Sequence, residues 1–159
     1  MKVCIKNKFS LRGSSSVKDE RQQDVFFVKG KLASITKKKF VCDLDGNVLY
    51  TVRNKFINMF SHSAFVYDED KNKIAKVKHP MFSVKKFVVE GYQDEITVDG
   101  DFFSLHSEIV RNGEVIGTIT REFTVMLDSF YLEADESDMP FLIALVIAID
   151  NICDNINKS

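Results

Sequence analysis

Tryptophan is absent from this sequence, proline occurs twice, glycine seven times and cysteine three times. Each shortage narrows the reading. Cys4, Cys42 and Cys153 are odd in number, widely spaced and form no CxxC pair. They argue against a disulfide framework or a cysteine zinc site and fit reduced, packed thiols in a cytosolic protein. With so few prolines and glycines, the turns must rely on Asn, Asp and Lys. The longest apolar run, Met139 to Ile149, has 11 residues, too short to span a bilayer. The N-terminal stretch Met1–Lys8 breaks its apolar residues with lysines, so no signal-peptide core is expected.

Recognisable chemistry is equally scarce. His62, His79 and His106 sit in no HExxH, HxH or Cys/His spacing, and no metal site is expected from them. There is no GxGxxG and no P-loop. Ser14-Ser-Ser16 reads as a polar loop rather than a nucleophile elbow. Asp99-Gly-Asp101 reads as a turn, because the remaining ligands of a calcium loop are missing. No catalytic constellation and no cofactor signature stands out.

What the sequence does contain is a recurring frame. Ile5-Lys-Asn-Lys-Phe9 returns as Val28-Lys-Gly-Lys-Leu32, Val52-Arg-Asn-Lys-Phe56, Val77-Lys-His-Pro-Met81 and Ile119-Thr-Arg-Glu-Phe123. In the four later copies a further apolar residue follows (Ile35, Met59, Val84, Met126). Then comes an aromatic with an acid three residues on: Phe40 and Asp43, Phe65 and Asp68, Phe87 and Glu90, Phe130 and Glu133. The first three intervals are 23, 24 and 25 residues and the last is 42. A repeat of this period is a supersecondary unit used several times over.

Each unit reads as two strands. Val48, Tyr50, Val52 and Phe56 recur two or four apart, which sets them on one face, with Asn54 interrupting. Ala64-Phe-Val-Tyr67 is the second strand of that unit. Asp43-Leu-Asp-Gly-Asn47, Asp68-Glu-Asp-Lys-Asn72 and Asn112-Gly113 carry turn chemistry, so Asp43 and Asp68 are structural. Gly30 is expected to mark a bulge. Five units, and an extra pair near Asp94–Phe103 and Leu105–Val110, make about twelve antiparallel strands. That is too many for a comfortable open sheet, and closure into a barrel is expected.

The C-terminal segment changes period. Ser137 or Asp138 can cap a helix with Pro140 in its first turn, and the helix should cover about 138–154. Its centre is apolar on every side, so it must be surrounded by protein. A twelve-stranded barrel is too wide for side chains alone to fill. The predicted fold is therefore all-β with one helix: a closed antiparallel barrel around a central hydrophobic C-terminal helix. The 159 residues, 45% hydrophobic and 28% charged, fit one soluble domain, and a monomer is expected.

The Asp24-Val-Phe-Phe-Val-Lys-Gly30 strand, the repeated frames, the Asp101-Phe-Phe region and the terminal helix together resemble the tubby-like superfamily. More narrowly, they resemble a small bacterial member of the LURP-one-related family. The resemblance spans nearly the whole chain and rests on pattern rather than a short motif. It implies a twelve-stranded barrel around a central helix. Through tubby domains and the similar phospholipid scramblases, it implies association with membrane phospholipid. A bacterial cytosol usually lacks phosphoinositides, so that ligand does not carry over.

Charge supplies the candidate site. Residues 1–91 carry 19 basic and 9 acidic residues, net +10, and residues 92–159 carry 3 and 14, net −11. In the first three frames both inner positions are basic: Lys6 and Lys8, Lys29 and Lys31, Arg53 and Lys55. Strand alternation turns these six to the barrel exterior. Lys37, Lys38, Lys39, Lys76, Lys78, Lys85 and Lys86 could extend them into one anion-binding patch; the competing reading is a solvated strand exterior, lysine-rich for solubility and to deter edge pairing. The expected role is a non-enzymatic, cytoplasmic binding or scaffold module that docks at an anionic membrane surface or an acidic protein partner. Nucleic acid is not expected, because aromatics do not interleave with the lysines. The competing reading is an enzyme or small-ligand binder with a site assembled from dispersed residues.

Overall fold

The computed structural model describes residues 1–6, 14–31, 33–56, 62–80, 86–101, 106–123 and 128–156, with only the backbone at 101, 123 and 128. Its strands are β1 (Lys2–Lys6), β2 (Ser14–Asp19), β3 (Asp24–Gly30), β4 (Lys39–Cys42), β5 (Val48–Asn54), β6 (Ser63–Tyr67), β7 (Lys73–Lys78), β8 (Lys86–Glu90), β9 (Ile96–Asp101), β10 (His106–Arg111), β11 (Glu114–Phe123) and β12 (Asp128–Ala134). A single helix, α1 (Met139–Ile156), follows. Successive strands pair antiparallel in chain order, and β12 closes on β1 with Ile5 opposite Phe130. Closure removes the exposed edges that a twelve-stranded open sheet would carry. The expected barrel is the observed fold, and the extra pair of strands falls at β9 and β10.

Alternation along the strands builds the wall. The residues that open the five frames, Ile5, Val28, Val52, Val77 and Ile119, all lie on odd-numbered strands, and all are buried. Later frame positions depart from the expectation. Asn54 shares the inner face of β5 and is buried, whereas Phe56 is 69% exposed. The reason is that β5 stops at Asn54, so the two-residue period no longer steers Phe56. Ile35 is 83% exposed. Phe9, Leu32, Met59, Met81, Val84 and Met126 lie outside the described residues, as does the side chain of Phe123. Two smaller expectations also change. Ser14–Ser16 belong to β2, and Asp99 and Gly100 belong to β9. Gly30 pairs regularly with Lys39, while register shifts fall elsewhere, such as between Val17 and Lys18.

The two ends of the barrel differ. Even-numbered strands lead into short turns. Asp43 accepts hydrogen bonds from the Asn47 backbone and side-chain amides, each at 2.8 Å, and Asp68 accepts the matching pair from Asn72 at 2.8 and 3.2 Å. Asn112 and Gly113 both take positive φ, 51° and 87°, as a tight hairpin requires. Odd-numbered strands lead into connections such as 31–38 and 55–62. We call these the turn end and the loop end.

The helix enters at the turn end and finishes at the loop end. Asp138 precedes it and accepts from the Leu142 backbone N–H at 3.0 Å, while its carboxylate makes a bidentate pair with Arg111 at 2.8 and 3.0 Å. Eighteen residues span about 27 Å. Leu142 to Val146 and Ile149 have essentially no exposure. Phe141 stacks on Tyr92, with ring centres 4.5 Å apart, and meets Tyr50 edge-on. The apolar helix expected from the sequence thus lies in the core.

Its last two turns are the polar exception. Asp150 is 5% exposed and faces Lys39 of β4, Nζ to Oδ2 3.7 Å. Asn151 donates to the Lys37 carbonyl at 3.1 Å, and its own carbonyl accepts from Asn54 at 3.3 Å. Burial pushes the Asp150 carboxyl up to about 6, opposed by Lys39 and reinforced by Asp154, with Arg121 and Lys37 also opposing. Burial likewise lowers the Lys39 ammonium.

Two outcomes follow from this core. Leu145→Ala should cost about 2–5 kcal/mol in urea unfolding, whereas Leu44→Ala, at a position 56% exposed, should cost under about 0.5 kcal/mol. Equal small losses would place the helix outside the core. The second outcome concerns pH. A carboxyl raised on folding binds its proton more tightly folded than unfolded, where it titrates near about 3.9. Its stabilisation is complete below that value and is lost as pH rises through about 6. Wild-type stability relative to Asp150→Asn should therefore fall by up to roughly 1.4 kcal/mol per pH unit across this window. Urea melts at pH 4.5 and 7 measure this, and a pH-independent difference would contradict it.

Candidate functional site

The candidate cations are placed by the same alternation that builds the core. Lys6, Lys29 and Arg53 each follow a buried residue near the finishing end of β1, β3 and β5, so they point outward. Lys31 and Lys55 continue past the strand ends. All five are exposed; Lys6, Lys31, Arg53 and Lys55 lie toward the loop end, while the Lys29 side chain leans the other way and brings its ammonium to the 43–47 turn beside Gly46. Lys8 lies outside the described residues. Because β2 and β4 intervene, Lys6, Lys29 and Arg53 stand on alternate strands, about 10 Å apart around the wall. They form a spaced row rather than a cluster.

Several residues expected to extend this patch do not. Lys39 points inward to Asp150, because it lies on the same face of β4 as Val41. Lys37 pairs with Asp154 at 3.3 Å. Lys76 and Lys78 share Glu90, which the pairing of β7 with β8 sets opposite Lys76 and diagonal to Lys78. The Lys78 ammonium, with Lys76, holds the Glu90 carboxyl below its usual range. Lys86 pairs with Asp99 at 3.5 Å. Lys85 is outside the described residues. Among the described residues, Lys6, Lys29, Lys31, Arg53 and Lys55 make no ion pair.

One part of this row is shaped. Arg53 Nε donates to the Tyr67 hydroxyl at 2.8 Å, and the guanidinium lies 5.0 Å from the ring centre. Lys38 reaches over Phe40 at 5.3 Å. Between them runs a groove of about 330 Å³, floored by Phe40, Val48 and Thr51, with Asp68, Glu69 and Lys71 at its turn end. A guanidinium held by an aromatic ring and hydroxyl loses little freedom on meeting an oxyanion. Lys38, expected to extend the patch, borders this groove, whereas the contributions of Phe40 and Tyr67 were not readable in sequence. Ala64-Phe-Val-Tyr67 is apolar at every position and hides which residues face outward.

Charge also separates along the barrel axis. The turns at the other end carry Asp43, Asp45, Asp68, Glu69, Asp70, Asp94 and Glu95, followed by Asp135 and Glu136 before the helix. The lopsided charge of the sequence is therefore joined by a lopsided charge of the two ends.

Among the described residues, the remaining reactive groups do not converge on an open site. Burial raises the Cys42 thiol and pushes Cys153 up to about 12, making both poor nucleophiles at neutral pH. The pairing of β6 with β7 brings His62 beside His79, whose N–H donates to the His62 carbonyl at 3.3 Å, while His106 stands apart on β10. Among the described residues no three His, Cys, Asp or Glu side chains are arranged to hold a metal ion.

Comparison with known proteins is consistent with this architecture. No curated protein and no solved structure matches the chain. The family model described as LURP-one-related matches residues 1–150, which take in all twelve strands and most of the central helix. The resemblance drawn from the repeated frames and terminal helix thus holds over nearly the full length, and the chain belongs to the LURP-one-related family.

Proposed function

We propose that this chain is a non-enzymatic docking module whose basic outer face binds anionic phospholipid headgroups. The reading rests on one contrast. Lys37, Lys39, Lys76, Lys78 and Lys86 each have an acidic partner, while Lys6, Lys31, Arg53 and Lys55, exposed toward the loop end, and the exposed Lys29 have no ion pair among the described residues. A wall stabilised by its own ion pairs would neutralise such cations. Left open, each contributes about 1 kcal/mol of attraction to an anionic membrane surface. A spaced row suits many headgroups in a plane better than one small anion. The module would work in the cytoplasm, peripheral to the membrane.

Vesicle sedimentation tests the reading. Wild-type protein should sediment with phosphatidylglycerol or cardiolipin vesicles. Binding should weaken with salt, as the Debye length shrinks from about 10 Å at 0.1 M to about 3 Å at 1 M. Lys29→Glu, Lys31→Glu and Arg53→Glu combined should abolish sedimentation with little change in melting temperature, because all three side chains are exposed. Wild-type protein that ignores anionic vesicles at low salt would overturn the proposal.

A further inference from the structure

Ile35 and Phe56 are the two most exposed large apolar side chains among the described residues, at 83% and 69%. Both lie at the loop end, in the adjacent connections that follow β3 and β5. Ile35 is not exposed for want of local order. Lys31 N–H donates to the Lys38 carbonyl, and Lys37 N–H to the Ser34 carbonyl. The Lys38 N–H is held by the Ser34 hydroxyl at 3.1 Å. The Asn54 N–H donates to the Thr36 carbonyl at 2.7 Å, tying this connection to the end of β5. Asn151 of the helix fixes Lys37 from below. A braced loop therefore holds an isoleucine in water, and Phe56 is exposed just past the end of the neighbouring strand β5.

We infer that the loop end is a membrane-insertion surface: Ile35 and Phe56 enter the acyl boundary of an anionic bilayer while the surrounding cations engage its phosphates. This rests on the docking function proposed above and adds its orientation, with the barrel standing end-on. The order of chemistry along the wall fits the order of layers in a bilayer. Phe56 is followed inward by Lys55 and then by Arg53, at most about 10 Å away along the chain. Amphipathic surfaces seat their apolar groups about 5–10 Å into that boundary. Charge selects this end over the other. Leu44 and Val115 are also exposed, but they sit at the turn end among Asp43, Asp45, Asp94 and Glu114, which an anionic surface repels.

The absence of tryptophan makes the test direct. Ile35→Trp and Phe56→Trp each introduce a single indole at the loop end, and Leu44→Trp introduces one at the turn end as a control. On adding phosphatidylglycerol vesicles with brominated acyl chains, the first two should shift to the blue and be quenched. The Leu44→Trp emission should stay water-like. Ile35→Ser with Phe56→Ser should weaken vesicle binding about tenfold or more while leaving the melting temperature unchanged. Wild-type sedimentation with unquenched emission from both loop-end variants would overturn insertion and leave headgroup docking standing. So would undiminished binding by the double serine variant. Wild-type protein that leaves the vesicles alone overturns both.

Discussion

A helix that is apolar on all sides has no stable place in water, and a twelve-stranded barrel has a lumen that its own side chains do not fill. In this protein each is the solution to the other. The wall contributes small β-branched or Ala side chains at many inward positions, among them Val3, Val41, Val52, Ala64 and Ala75, leaving room for Leu142, Leu145 and Ile149. The helix satisfies its own backbone hydrogen bonds, so it fills an apolar lumen without bringing in unpaired amides. Removing either partner would expose a large apolar surface on the other.

That dependence sets what the outside can do. With the core supplied from within, the outward face of each strand is free of packing duty and can carry charge. The interior polar groups at the helix end, Asp150 against Lys39 and Asn151 against Asn54 and Lys37, also brace the loop end. The 31–38 connection is thereby fixed to the core, and the exposed Ile35 and neighbouring cations are held in a set arrangement. The helix dipole places its positive end at the acidic turns and its negative end among the lysines, the favourable sense at both ends.

Much of the fold was legible because its signals are short-range. Two-residue alternation marked the strands, Asp-x-Asp-x-Asn marked two turns, and the change to an all-apolar run marked the helix. Where alternation ends, legibility ends too. Phe56 lies two residues beyond β5, and its apolar character gives no notice that the strand has stopped. Lys39 reads as one of three consecutive lysines, yet it is the first residue of β4 and faces inward. Its partner Asp150 is 111 positions away, a pairing that no local pattern encodes. Lys6, Lys29 and Arg53 face outward because each adjoins a buried Val or Ile, whereas Lys31 and Lys55 lie past the strand ends, where alternation no longer speaks. Which of them remain without an acidic partner depended on strand register and became visible only in three dimensions.

The central claim is that one end of this barrel, and not its other end or its side, meets an anionic membrane. Hydrogen–deuterium exchange with and without phosphatidylglycerol vesicles tests it most directly. The account predicts added protection in residues 31–38 and 53–56, with the turns at 43–47, 68–72 and 112–113 unchanged. Protection centred on those turns, or spread evenly around the barrel, would contradict it.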